Sequence, residues 1–177
     1  GALVALMLGL SYSTVSPTIS NSYFNVISII TTTGYTSTNL LLWPITAQVL
    51  LIILMLLGGS AGSTAGGIKI WRAIVLYKMG KREVERISLP PSAIRAVKIG
   101  GKILDEDYIM KVGAFFFVYI MAILIQFLVL SINIADPMGA LSLAISAQSN
   151  VGPAFFSMTS LDSLSKIVLV FGMWFGR

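Results

Sequence analysis

Apolar segments and short polar strips alternate along the chain in an order that occurs twice. In the first half, the apolar run from Ala2 to Leu10 predicts the outer end of a spanning helix, and the polar stretch from Ser11 to Ser20, which contains Pro17, predicts a loop. Asn21 to Ile30 predicts a short re-entrant helix, because a span needs about 20 residues. A polar strip (Thr31 to Leu40) and an apolar helix with Pro44 at its first position (to Leu57) follow.

The second half repeats this order after a basic connection. Ile68 to Met79 predicts a helix that ends at Gly80, and Lys81 to Asp107 predicts a charged cytoplasmic connection. Within that connection, Ser92 to Leu104 predicts a short basic amphipathic helix on the membrane surface. The remaining elements are an uninterrupted span (Tyr108 to Ile132), a second re-entrant helix (Pro137 to Gln148), a second strip (Ser149 to Ser157) and a second inner helix from Leu164.

An internal repeat relates the two halves at an offset of 118 residues (152 − 34). The offset sets Gly34 on Gly152, Ser28 on Ser146, Ile27 on Ile145 and Gly58 on Gly176. We therefore predict an all-α integral membrane protein with tandem helix–pore-helix–helix repeats at residues 1–80 and 108–177, joined by a cytoplasmic connection at 81–107. The apolar runs at both chain ends are too short to span a bilayer, so we expect a fragment cut through a helix at each end.

Composition supports a membrane location and excludes several kinds of chemistry. The chain is 56% hydrophobic and 11% charged, whereas soluble domains carry about 25% charged residues. It has no Cys and no His, which excludes disulfides, thiol catalysis and zinc–thiolate sites and removes the commonest general base. Ten of the twelve Lys and Arg residues lie between Lys69 and Lys111, a distribution typical of a cytoplasmic loop rather than of a nucleic-acid site.

The two polar strips carry the candidate chemistry. A cation in a narrow pore exchanges its water shell for other oxygen atoms, and backbone carbonyls supply these without a net charge. Gly34 and Gly152 suit a strip whose carbonyls point one way, and each preceding helix would aim the negative end of its dipole at the pore. Either strip alone is also compatible with an ordinary polar loop. The predicted filter residues are Thr32, Thr33, Gly34, Tyr35, Asn150, Val151, Gly152 and Pro153.

A glycine-rich break interrupts the first inner helix at a depth that hydropathy places below the filter. Five glycines in ten residues will not hold a helix, since each costs about 1 kcal/mol against Ala. Irregular backbone at this depth needs protein partners or a water-filled cavity, so we expect a flexible loop that blocks ions and moves aside. The loop consists of Gly58, Gly59, Ser60, Ala61, Gly62, Ser63, Thr64, Ala65, Gly66 and Gly67.

Two enzymatic interpretations of this loop are weaker. Gly62 to Lys69 is similar to a Walker A loop, but Ile68 separates the last glycine from Lys69, and an apolar helix rather than a strand precedes the loop. Gly58 to Gly62 matches the G-x-S-x-G pattern of serine hydrolases. Without His, only a Ser60–Lys69 dyad would remain for an intramembrane hydrolase, and we expect no enzymatic activity.

Three motifs together resemble the Trk/Ktr/HKT superfamily of potassium transporters: Thr31 to Tyr35, Gly58 to Lys69, and Asn150 to Pro153. The resemblance implies four helix–pore-helix–helix repeats around one pore, of which this chain supplies the third and fourth. It also implies that Gly34 and Gly152 are the filter glycines associated with K⁺ preference. Tyr35 stands where Phe is common in the family, and Ala154 where Gly is common.

The same resemblance implies K⁺ uptake by a multi-pass protein of the cell membrane, with K⁺ as the transported ion and no cofactor. The glycine-rich loop would act as the gate, with Arg177 packing near it. A homodimer with a cytosolic nucleotide-binding regulatory subunit is expected, and the basic region from Lys78 to Lys102 would dock that subunit or lipid headgroups. A tandem-pore K⁺ channel subunit remains an alternative, although the two strips are unequal. Asp136 and Asp162 would lie at the outer cation entrance.

Overall fold

Helices make up nearly all the regular structure of the chain. The computed structural model describes residues 15–60, 62–63, 65–87, 98–99, 102–157 and 161–177. The predicted all-α fold is confirmed, with one very small hairpin and a 3₁₀ turn at Leu40–Leu42. The elements are α1 (Val15–Ile30), α2 (Ile45–Leu57), α3 (Ile70–Ile87), β1 (Lys98–Ile99), β2 (Lys102–Ile103), α4 (Glu106–Asn133), α5 (Pro137–Ser149) and α6 (Ser163–Phe175).

The short helix α5 forms the centre of the packing. It begins at the N-cap Asp136, whose side chain accepts hydrogen bonds from the backbone of Met138 and Gly139, and Pro137 fits the first turn. Every residue from Ser142 to Ser149 is buried. The helix packs against α2, α4 and α6. A half-length helix that is buried all round must be enclosed by other helices, as expected for a re-entrant segment.

Helix α4 is the predicted uninterrupted span. It covers 28 residues, about 42 Å of helix, which is enough to cross a bilayer. Among the described residues it is the only helix that is both long and apolar enough to cross alone. Only 22% of its most apolar stretch is buried inside the protein, which leaves an apolar surface suited to lipid or to further helices.

Helix α1 begins earlier than predicted. It starts at Val15, so the predicted loop to Ser20 is wrong over its second half. Pro17 is compatible with this start, because the first helical turn has no backbone acceptor for its missing N–H. The orientation of the helix also differs from the usual amphipathic pattern, since Phe24 and Ile27 are exposed while Asn25 is buried.

Helices α2 and α3 lie on either side of the glycine-rich break. Pro44 is the N-cap of α2 rather than its first helical residue, and the helix ends at Leu57 as predicted. Helix α3 continues through Gly80 to Ile87, so the predicted end at Gly80 is wrong. Good helix formers and a Lys81–Glu85 pair one turn apart (3.8 Å) favour the continuation. The division of the chain into units at residue 80 stays a prediction.

The cytoplasmic connection contains a hairpin where an amphipathic helix was predicted. Lys98 pairs with Ile103 and Ile99 with Lys102 in an antiparallel register, so the predicted helix is wrong at these positions. The sequence Gly100-Gly101 between the strands is typical of a two-residue hairpin turn. Residues 88–97 lie outside the described part of the chain.

Two charged contacts join α3 to α4 at this end of the molecule. Arg82 forms an ion pair with Glu106, and the hydrogen bond from that carboxylate raises the pKa of Arg82 above its ordinary value. The guanidinium carbon of Arg72 lies 4.2 Å from the centre of the Phe115 ring, a cation–π contact. The first contact makes Arg82 a permanent cation next to the start of the spanning helix.

Candidate functional site

The two strips leave their short helices through the same hydrogen-bonded turn. In each case the first residue after the helix has φ near +53°, and the pattern is a Schellman motif with one i→i−3 and one i→i−5 bond. The repeat offset of 118 residues relates every donor and acceptor. The bonds are Thr32 N–Ile29 O (3.1 Å) and Thr33 N–Ser28 O (2.9 Å) in the first repeat, and Asn150 N–Ala147 O (3.2 Å) and Val151 N–Ser146 O (3.1 Å) in the second.

A buried serine on each short helix fastens the strip that follows it. The Ser28 hydroxyl donates to the Tyr35 carbonyl oxygen at 2.7 Å. The Ser146 hydroxyl accepts from the Gly152 backbone N–H at 3.0 Å. The two serines, which the repeat offset pairs, therefore bend the strips back over their own helices, although one acts as a donor and the other as an acceptor.

The strips meet at their two predicted filter glycines. Gly34 has φ +83° and Gly152 has φ +108°, conformations that favour glycine. A Cβ on Gly34 would lie 2.4 Å from the Val151 carbonyl oxygen, and a Cβ on Gly152 would lie 3.6 Å from Cα of Gly34. Backbone therefore packs directly on backbone, with no room for a side chain at Gly34.

A cavity of about 280 Å³ lies beneath this contact and is shared by both strips. Its walls include the predicted filter residues Thr32, Thr33, Asn150, Val151 and Gly152, together with Ser146, Ala147 and Met173. Gly34, Tyr35 and Pro153 are outside this lining, and Tyr35 is largely exposed. The space is thus bounded by the C-terminal ends of α1 and α5, where both helix dipoles are negative.

Three supporting residues were not predicted from the sequence. The amide of Asn25 donates to Asn21 O (2.8 Å) and to the Ser37 hydroxyl (3.0 Å), and its oxygen accepts from the Ser37 N–H. The Ser142 hydroxyl accepts from the Phe155 N–H at 2.9 Å. Met173 offers its carbonyl to the Asn150 amide at 3.1 Å. Polar residues inside apolar helices were the available signal for Asn25 and Ser142, whereas Met173 acts through its backbone and gave none.

The glycine-rich loop closes on itself at its base. Gly58 and Gly67 both have positive φ, and a Cβ on Gly58 would lie 2.4 Å from the Gly66 carbonyl oxygen. Two backbone bonds complete the base, from Ile68 N to Leu56 O (3.1 Å) and from Ile70 N to Gly59 O (3.3 Å). The loop is therefore a protrusion with a fixed origin rather than an extended linker.

The base of the loop lies against the ends of both short helices. A Cβ on Gly66 would be 2.3 Å from the Ser149 carbonyl oxygen, and a Cβ on Gly59 would be 3.8 Å from the Ile30 carbonyl oxygen. Ser60, Gly62 and Ser63 at the tip are exposed, whereas the predicted gate residues Ala61 and Thr64 lie outside the described part of the chain. The loop thus reaches the two helices that carry the strips.

Arg177 follows a glycine that matches this arrangement. Gly176, the repeat partner of Gly58, would place a Cβ 1.7 Å from the Gln148 carbonyl oxygen at the end of α5. Arg177 itself is exposed. Its predicted packing near the glycine-rich loop stays a prediction.

The geometry gives no support to the Ser60–Lys69 dyad. The Lys69 ammonium donates to the Ser63 carbonyl at 3.3 Å, and the Ser60 carbonyl accepts from the Ser63 hydroxyl at 2.7 Å. Both acidic residues predicted at the outer entrance cap helices. Asp162 accepts from the Ser165 N–H, and its hydrogen bonds with Ser165 lower the pKa of the Asp162 carboxyl.

The fold and the paired strips define an integral membrane protein built on tandem re-entrant helices. A family model described as TrkH, cation transport protein, matches residues 11–177, and the chain belongs to this family. The crystal structure of the potassium transporter TrkH from Vibrio parahaemolyticus is similar, with a TM-score of 0.88 and 31% identity. The match covers 99% of this chain and 39% of that chain.

Curated relatives support the same assignment. The Trk system potassium uptake protein TrkH of Escherichia coli K12 is 33% identical over 170 residues, covering 94% of this chain and 35% of the relative. The protein of the same name from Halomonas elongata is 34% identical over 178 residues, covering 98% and 36% respectively. The chain therefore spans about a third of the length of the curated relatives it matches.

Proposed function

We propose that this chain forms two of the four walls of a K⁺ uptake pore, as the third and fourth repeats of a longer transporter. The observation that carries the proposal is the contact of the two strips at Gly34 and Gly152, where both short helices end. Two negative helix ends and a set of backbone oxygens then face one cavity, an arrangement suited to a partly dehydrated monovalent cation. The printed names of the relatives specify potassium.

The filter consists of the carbonyl groups of the eight predicted strip residues. Thr32, Thr33, Asn150, Val151 and Gly152 face the inner cavity, and Gly34 with its neighbours sets the contact between the strips. The glycine-rich loop acts as the gate beneath them, because its base touches both short helices and its tip is exposed. Arg177 belongs to the same gate. No covalent chemistry takes part.

The complete pore needs further repeats, and α6 offers the surface on which the next one docks. Helices α2 and α6 match residue for residue at the repeat offset, from Ile45–Leu57 to Ser163–Phe175. Helix α2 packs on both α1 and α5, and Gln48, Ile52 and Met55 are buried in it. Their partners Lys166, Val170 and Met173 in α6 are exposed. We assign this face of α6 to a first repeat of the longer protein, which would close the ring.

The longer protein works as a homodimer in the cell membrane with a cytosolic nucleotide-binding regulatory subunit at its basic face. A tandem-pore channel subunit is the second candidate, but the relatives' greater length favours four repeats in one chain. Their names as transporters favour transport over hydrolysis.

The proposal is tested by K⁺ and Na⁺ flux through the whole transporter in liposomes. Gly34→Ser places a side chain against the Val151 carbonyl and should distort the filter, lowering the K⁺/Na⁺ flux ratio by about tenfold. Gly80→Ala is the control, because a Cβ there meets nothing within 4 Å and the ratio should not change. An unchanged ratio in folded Gly34→Ser protein would refute the filter assignment.

A further inference from the structure

Two side chains of the spanning helix α4 hold the end of α5. The Tyr119 and Ser149 hydroxyl oxygens are 2.8 Å apart, and the Gln126 amide nitrogen donates to the Gln148 amide oxygen at 2.6 Å. All four residues are buried. Tyr119 and Gln126 are two turns apart on one face of α4, and their partners are the last two residues before the strip residue Asn150.

The backbone fixes the orientation of both amides. Gln126 also donates to the Ala122 carbonyl at 3.2 Å, so the atom it presents there and to Gln148 is its nitrogen, and Gln148 must answer with its oxygen. This leaves the oxygen of Gln126 and the nitrogen of Gln148 buried without a hydrogen-bond partner. Two apolar side chains would fill the same space without unsatisfied polar atoms, so stability alone does not account for the pair.

Helix α6 joins the same contact through a G-x-x-x-G motif at Gly172 and Gly176. A Cβ on Gly172 would lie 2.1 Å from the Gln126 side-chain oxygen. Gly176 lies equally close to the backbone carbonyl of Gln148. With the bond from Asn150 to the Met173 carbonyl, the last residues of α5 and the first residue of the strip touch both long helices of their repeat.

The first strip has no matching attachment within the described residues. The repeat partners of Gln148 and Ser149 are Ile30, which is apolar, and Thr31. The Thr31 hydroxyl bonds within its own turn, to Ile27 O (2.8 Å) and to the Thr33 hydroxyl (2.7 Å). The second strip is therefore tied to outer and inner helices, whereas the first is held by bonds inside its own segment.

We propose that Tyr119 and Gln126 are positioning residues that set the geometry, and hence the ion selectivity, of the second strip. The proposal rests on the proposed function of the strips as an ion filter. Gln126 acts through Gln148, and Tyr119 through Ser149. Because Gly172 and Gly176 contact the same pair, a shift of α6 reaches the strip through these bonds.

The test compares Gln126→Leu, Gln148→Leu and the double variant in the whole transporter in liposomes, with K⁺/Na⁺ flux ratio and thermal stability as readouts. Gln126→Leu strips Gln148 of its partner, so stability and ratio should both fall, the ratio by about threefold or more. The double variant removes both amides, so its stability should recover while its ratio stays low. Recovery of the ratio together with stability would show a merely structural pair and overturn the proposal.

A matched control and a milder variant complete the experiment. Gln48 is another buried glutamine, which donates to the carbonyls of Leu40, Leu41 and Trp43 and not to a short helix. Gln48→Leu should lower stability and leave the ratio unchanged. Tyr119→Phe removes a single oxygen and should still lower the ratio.

The outcomes also separate this proposal from the function on which it rests. Unchanged ratios in folded Tyr119→Phe and Gln126→Leu, with Gly34→Ser still lowering the ratio, overturn the positioning role alone. If Gly34→Ser also leaves the ratio unchanged, the filter assignment itself fails.

Discussion

Thr32 and Asn150 occupy the same unusual conformation at the start of the two strips. Both have φ +53°, in the left-handed region, and both end a short helix through the same hydrogen bonds. Asparagine tolerates this region, but a β-branched residue rarely adopts it. Thr32 therefore carries backbone strain that its repeat partner avoids, at a position that lines the cavity beneath the strips.

Thr32→Asn should relieve this strain. We expect the free energy of unfolding to rise by about 1 kcal/mol, because left-handed backbone costs an ordinary L-residue roughly that amount. Thermal unfolding of the purified transporter in detergent measures the change. Thr33→Asn serves as the control and should bring no gain, since Thr33 is not among the described residues with positive φ. Equal melting temperatures for wild type and Thr32→Asn would contradict the strain argument.

The elements of the fold could be predicted from the sequence where composition changes sharply. Apolar runs too short to span, followed by polar glycine-centred strips, gave α5 and the strips to within a residue or so. The hairpin at Lys98–Ile103 was missed because a short basic and apolar segment also suits a helix, although Gly100-Gly101 was a usable signal.

Contacts between elements could not be predicted in the same way. Gln126 and Gln148 are isolated polar residues in apolar helices, and such a residue does not reveal which neighbour it will meet. The meeting of Gly34 with Val151 likewise depends on how two repeats pack, which their similarity suggests but does not determine. The sequence thus identified the parts of the candidate site and left their assembly open.

The glycine-rich loop can be tested as a single element. Deleting Ser60 to Ala65 removes the exposed tip but retains the bonds at the base, from Ile68 to Leu56 and from Ile70 to Gly59. If the loop blocks ions, K⁺ flux through the whole transporter in liposomes should rise several-fold. Ser60→Ala, which keeps the loop length, should leave the flux unchanged. Flux that stays level or falls in folded deletion protein would show that the loop is not a gate.

At the scale of the whole molecule, the two inner helices differ in what covers them. Ile52 of α2 is 6% exposed against α5, whereas its partner Val170 in α6 is exposed. The side of α6 that meets its own short helix is covered normally, with Ser165 and Leu169 buried. The open face is thus confined to the positions that an additional repeat would cover.

Cysteine labelling tests this assignment, because the chain contains no native Cys. In the whole transporter, with any cysteine outside this chain replaced, Val170→Cys should be protected from a membrane-soluble maleimide by the neighbouring repeat. Leu128→Cys on α4, at a position 62% exposed, should react at least about tenfold faster. Equal labelling at both positions would show that α6 faces lipid and that the ring does not close on it.

The direct contact of Gly34 with the backbone of Val151 has a consequence for how related pores diverge. Because no side chain separates the two walls, the width of the passage at this level is determined by main-chain atoms. Side-chain substitutions elsewhere on the strips, such as those that distinguish Tyr35 from Pro153, can accumulate without widening it. The bore and the surface chemistry of the passage are then independent characters, and one can be preserved while the other drifts.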